Sequence, residues 1–111
     1  MRISSLGVRR DEDLYELVPK IVPDCQITLK DQQVWGQPSG ATRRTVLFDC
    51  DDLSSFTFNQ INGKNNLQWI AQAVADYASF PFARAFAYTR GLFLTLVQNR
   101  VCLPINNPQL G

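Results

Sequence analysis

From residue 25 to residue 30 apolar and polar side chains alternate strictly: Cys25, Ile27 and Leu29 on one side, Gln26, Thr28 and Lys30 on the other. A period of two predicts a half-buried strand. Within Cys25–Trp35 the alternation slips at Asp31–Gln33 and resumes at Val34-Trp35, which predicts a bulge or a turn. Gly36-Gln37-Pro38-Ser39-Gly40 is the clearest loop in the chain and should join this strand to Thr42–Cys50 as an antiparallel hairpin. In that second strand Val46, Leu47 and Phe48 are apolar in succession, as in a strand covered on both faces, so it is expected at the centre of the sheet. Leu53–Ile61 alternates again through Phe56 and Phe58 and reads as another strand.

Elsewhere the spacing is helical. Leu14, Leu17, Val18 and Ile21 recur every three or four residues behind Asp11, a candidate N-cap. Pro19 breaks a long helix, so about two turns are expected, with the exit at Pro23-Asp24. The Asn62-Gly63 turn signal leads either into a hairpin through Leu67-Gln68-Trp69 or through a loop into a helix. The spacing of Leu67, Ile70, Ala71, Val74 and Ala78 favours the helix, capped by Asn65 or Asn66 and ending near Ser79, before Pro81. Pro81–Arg90 fits either a second helix or a strand, and its alanines favour the helix. Gly91 should then break the pattern. Leu92–Val97 reads as a strand from its aliphatic and β-branched content, and Val101–Leu103 is a short extended piece. Arg2–Val8 is an edge-strand candidate and Pro104–Gly111 an irregular tail. Together these elements predict an α+β fold in which helices pack on one face of an antiparallel sheet. The order β-α-β-β-α-β is that of a ferredoxin-like sandwich.

At 111 residues the chain is expected to form one domain over 1–111. The formal charge of +1 argues against holding nucleic acid mainly by bulk electrostatics. That charge is uneven. Residues 1–53 hold nine acids and seven bases, whereas residues 54–111 hold one acid, Asp76, four bases, and nine of the twelve aromatics. Cys25, Cys50 and Cys102 lie far apart without CxxC spacing, and there is no histidine, so buried free thiols are expected and no zinc site. The amino terminus lacks the apolar run of a signal peptide, and Arg84 and Arg90 interrupt the longest apolar region. A cytoplasmic protein with no cofactor and no membrane span is the expectation.

One cluster suggests chemistry. Val46-Leu47-Phe48-Asp49-Cys50-Asp51 locally resembles the first motif of haloacid dehalogenase-like phosphatases, in which an apolar strand delivers an Asp-x-Asp pair. The resemblance implies Asp49 as phosphoryl acceptor and Asp51 as general acid/base, with Mg²⁺ between substrate and protein. It spans six residues, however. The family also uses a late acidic pair, and after residue 53 only Asp76 remains. Its parallel sheet with crossover helices needs a longer chain. The alternative is that Asp49, Asp51 and Asp52 end a strand and cap or solvate the next turn. Without histidine there is no Ser-His or Cys-His pair either, and no metal site or catalytic residue is assigned.

The aromatics carry the functional expectation. Phe80–Phe93 holds four Phe, one Tyr and two Arg. Aromatic and Arg side chains dominate interface hot spots. The chain is therefore read as a non-catalytic protein-interaction module, an accessory subunit, adaptor or small regulator. Its contact residues are expected to be Phe82, Arg84, Phe86, Tyr88, Arg90 and Phe93, and its partner another protein or a second copy. Single-stranded nucleic acid is the alternative partner, because the same segment interleaves stacking rings with cations.

Overall fold

The computed structural model describes residues 10–105. The strand expected at Arg2–Val8 and most of the expected tail lie outside them. The elements in order are α1 (Asp11–Leu14), β1 (Val18–Ile21), β2 (Gln26–Lys30), β3 (Gln33–Gln37), β4 (Thr45–Asp49), α2 (Asp52–Asn59), α3 (Leu67–Ala78), α4 (Phe82–Gln98) and β5 (Cys102–Ile105). Strands β2, β3 and β4 form one antiparallel sheet in that order; β1 and β5 form a separate antiparallel ribbon. The class is therefore α+β, with antiparallel sheets and packed helices. The ferredoxin-like order does not hold, because the three long helices follow one another instead of alternating with strands.

Each departure from the sequence reading has a local cause. The first helix is a single turn: it ends at Leu14, and Val18 and Pro19 enter β1, where Pro19 faces Pro104 across the ribbon. Two residues without an N–H form no bond at that rung, which a two-stranded ribbon tolerates. Cys25–Trp35 is a hairpin, not one strand. Asp31 and Gln32 both have positive φ, 56° and 63°, as a two-residue primed turn requires. β2 is exposed on both faces, with Leu29 64% exposed; a concavity of about 270 Å³ lies between its Ile27, Thr28 and Leu29 and Ser55, Phe58 and Asn59 of α2. β4 is an outer strand, not the centre. Its successive apolar residues come from a bulge: Val34 pairs with Phe48 and Trp35 with Val46, leaving Leu47 as the extra residue, and Leu47 turns into the core.

The segment expected as a strand at Leu53–Ile61 is mostly helix α2. Asp51 caps it, its carboxylate accepting from the Ser54 N–H at 2.7 Å, and Thr57 donates to the Leu53 carbonyl at 2.8 Å. The helix over Leu67–Ala78 forms as its spacing predicts. Asn66 accepts from the Trp69 N–H at 2.7 Å, and Ser79 closes the helix in the left-handed conformation. α4 passes through Gly91 and takes in Leu92–Val97 as helix. Ala85, Phe86, Thr89, Leu92, Phe93, Leu96 and Val97 form its buried face, and burial of that face outweighs the β propensity of the segment.

The core lies where α1, α3, α4 and the inner faces of the sheets meet. Leu14, Leu47, Leu67, Phe86, Phe93, Leu96 and Val101 form its main cluster, and Ile70, Val74, Ala75 and Ala85 a second one. Gly36 is required by close packing. A Cβ there would meet Val101 Cγ1 at 2.8 Å and Leu47 Cδ1 at 2.9 Å, so the absence of a side chain leaves room for Val101, just before β5, and for Leu47 from the neighbouring strand β4.

Candidate functional site

β4 pairs with β3 on one side only. Along its other side no strand lies among the described residues, so the backbone there is an unfinished sheet edge. Beside that edge runs a mostly apolar groove of about 420 Å³, walled by Leu47 and Phe48 from β4, Ser54 from α2, and Ala87, Tyr88, Gly91, Leu92 and Thr95 from α4.

The α4 wall owes its shape to sequence spacing. Ala87, Gly91 and Thr95 recur every fourth residue, so three small side chains line one stripe of the helix. Thr95 donates its hydroxyl to the Gly91 carbonyl at 3.0 Å, so that hydroxyl is satisfied within the helix. Gly91 is exposed, its φ is not positive, and beyond its chain neighbours and the adjacent helix backbone no atom lies within 4 Å of where its Cβ would stand. Nothing in the fold itself therefore requires glycine there, although glycine in a helix interior costs about 0.5–1 kcal/mol relative to alanine. At the end of the groove nearer α2, the Tyr88 and Ser54 hydroxyls are hydrogen-bonded, tying α4 to α2.

Charge is divided along β4. Arg43 and Arg44 are exposed just before it, and the Arg44 guanidinium lies 5.1 Å from the centre of the Trp35 ring. Asp49, Asp51 and Asp52 are exposed at and after its end. Asp49 accepts from Gln33 Nε2 at 3.0 Å, and with Asp31 and Asp51 it lines a concavity of about 440 Å³ beside the β2–β3 turn. The phosphatase-like arrangement is not formed: this sheet is antiparallel, and the Asp51 carboxylate is engaged as a helix cap. Burial pushes the Cys25 thiol up and the Cys102 thiol from 9.0 to about 12.

The six residues singled out in the sequence do not make one surface. Phe86 and Phe93 are each 1% exposed and belong to the core. Phe82 is half-buried and meets Tyr15 edge-on, with ring centroids 5.9 Å apart. Arg90 reaches back to Asp11 at 2.6 Å and fastens α1 to α4. Arg84 lies on the surface over the Phe80 ring, at 4.0 Å. Of the six, only Tyr88 faces the groove. The reason is the helix: across 17 residues, a period of 3.6 turns most of the rings inward. Leu47, Ala87, Gly91, Leu92 and Thr95 carry no chemical signal in sequence because they are small or aliphatic, and Phe48 reads there only as part of a buried strand. The one available sign was an unexplained glycine in an otherwise helix-compatible run.

No protein-family model matches the sequence, and no curated protein does. Among solved structures, the chain is similar to the solution NMR structure of the PqqD truncation of Methylobacterium extorquens PqqCD. The match has a TM-score of 0.57 at 20% identity and covers 78% of this chain and 88% of that one. That protein is described as a functional, stand-alone ribosomally synthesized and post-translational modified (RiPP) recognition element. The likeness establishes a shared fold.

Proposed function

We propose that this chain is a non-catalytic peptide-recognition module that takes an extended segment of its partner as a further strand on the open edge of β4. The observation that carries this reading is the pairing of that edge with a groove whose far wall is the stripe Ala87, Gly91 and Thr95. An added strand gains main-chain hydrogen bonds from the edge, while alternate side chains rest on the helix. The exposed Gly91, costly to the helix and unexplained by the fold, is accounted for if another chain lies against it. The recognition role of a protein of the same fold supports the same function class.

The test is selection of a displayed random peptide library against the whole chain, followed by titration of an enriched peptide into ¹⁵N-labelled protein. The expected result is that the largest amide shifts fall on Thr45–Asp49 and on 87–95. Failure to enrich any peptide, or shifts confined to another face, overturns the reading.

A further inference from the structure

The two ends of the groove edge differ in charge, and they are far enough apart to act separately. From Arg44 to Asp49 is five residue steps of extended chain, about 17 Å. This exceeds the screening length of roughly 8 Å at physiological salt. Arg43 and Arg44 therefore set the potential at one end, and Asp31, Asp49, Asp51 and Asp52 at the other. Every strand pairing among the described residues is antiparallel, and antiparallel pairing is the slightly more stable kind. A segment laid antiparallel to β4 brings its amino end beside the aspartates and its carboxyl end beside the arginines.

We propose that the partner segment carries its charges in that order, basic residues toward its amino end and acidic residues toward its carboxyl end, with an uncharged β-prone stretch between. This inference rests on the reading of the groove as a peptide site. A Lys or Arg side chain at the amino end of the segment reaches across the end of β4 to the concavity lined by Asp31, Asp49 and Asp51, which lies on the β3 side and in which Asp49 also accepts from Gln33 and Asp51 from the Ser54 N–H. At the opposite end, an acidic side chain meets the exposed Arg43, with the Arg44 guanidinium behind it, held toward β3 over the Trp35 ring. The same charges repel a segment laid in with the opposite order, so the pattern fixes direction and register as well as affinity. A second copy of this chain carries charges in the favoured order in its own residues 43–52. The groove, however, is bounded by α4 along the open side of β4, so a lone extended segment fits it better than a strand already walled by its own helix.

The experiment compares two end-blocked synthetic peptides of identical composition, with a central Thr-Val repeat. One has Lys-Lys at the amino end and Glu-Glu at the carboxyl end; the other has the ends exchanged. Binding to the whole chain is read by fluorescence anisotropy at low and high salt. The Lys-first peptide is expected to bind on the order of tenfold more tightly at low salt, with the gap closing as salt rises. The preference should vanish in the doubly substituted Arg43→Glu, Arg44→Glu protein. Both positions are exposed, and a thermal melt confirms that the variant is folded; Asp49→Asn with Asp52→Asn provides a second variant that spares the Asp51 cap. Equal binding of the two peptides, or a preference for the reversed one, overturns the charge order and leaves the groove reading standing. If neither peptide binds, this inference is overturned, and if no library-selected peptide binds either, the groove reading falls with it. If sedimentation shows a dimer that the double variant abolishes, the edge belongs to a second copy, and the inference is likewise overturned.

Discussion

Gly91 sets stability against recognition at a single position. Its would-be Cβ stands in open space, so Gly91→Ala should raise stability by about 0.5–1 kcal/mol through helix propensity alone. The same methyl narrows the groove at the centre of the small stripe, and binding of a selected peptide should weaken severalfold. A melting curve and a titration on the same sample check the opposite signs; a variant that is stabilised and binds unchanged would mean that the segment does not lie against α4. Gly36 behaves in the reverse way. With Val101 and Leu47 at 2.8 and 2.9 Å from its would-be Cβ, Gly36→Ala should destabilise by about 1–3 kcal/mol, the usual range for overpacking. Cys102 adds a pH dependence. Its thiol stays protonated in the fold to about 12, against 9.0 ordinarily, chiefly through desolvation. Between those values the unfolded chain loses a proton that the folded chain keeps, so stability falls as pH rises through that window. Chemical denaturation along an alkaline series should show the loss, and Cys102→Ala should flatten it.

At the scale of elements, legibility depended on whether local chemistry and burial agreed. α3 was legible to within a residue because Asn66, the apolar spacing and Pro81 all point the same way. α4 was only half legible. Gly91 and the run Leu92–Val97 argue locally for a break and a strand, and only the inward stripe from Ala85 to Val97, fixed by long-range packing, overrules them. α2 was misread because Phe56 and Phe58 stand two apart, as in a strand, while the signal that decides is the Asp51 cap. That cap supplies its own prediction. Asp51→Ala should cost about 1 kcal/mol and lower the melting temperature by roughly 4–8 °C. Asp52→Ala, which removes only a first-turn charge, should cost less. Circular dichroism melts of the two variants separate capping from general loss of negative charge. The candidate site was the least legible feature, because a groove between a strand edge and a helix depends on which elements become neighbours, and neither element announces its neighbour.

On the whole molecule, the three-stranded sheet has two open edges among the described residues, and they differ in what stands beside them. β2 is exposed along its length, with Ile27 37% and Leu29 64% exposed. Its Ile27, Thr28 and Leu29 share with α2 a concavity of about 270 Å³, smaller than the groove beside β4, so a strand added there gains backbone bonds but less enclosure. β4 offers the same bonds plus contact with α4 and α2, two elements that pack on the main core and on each other through Tyr88 and Ser54. Occupancy of β4 should therefore be felt throughout the fold, whereas occupancy of β2 should remain local. A segment bound to the folded chain alone, at a hundred times its Kd, stabilises it by about 2.7 kcal/mol, which corresponds to a rise in melting temperature of roughly 10–20 °C for a chain of this size. Leu29→Lys should leave that rise intact while reducing any self-association through the exposed β2 edge. A full ligand-induced shift in Leu29→Lys and a lost one in Gly91→Leu, which fills the groove with a bulky side chain, would locate recognition on β4 rather than β2. The opposite pair of results would move the site to the other end of the sheet.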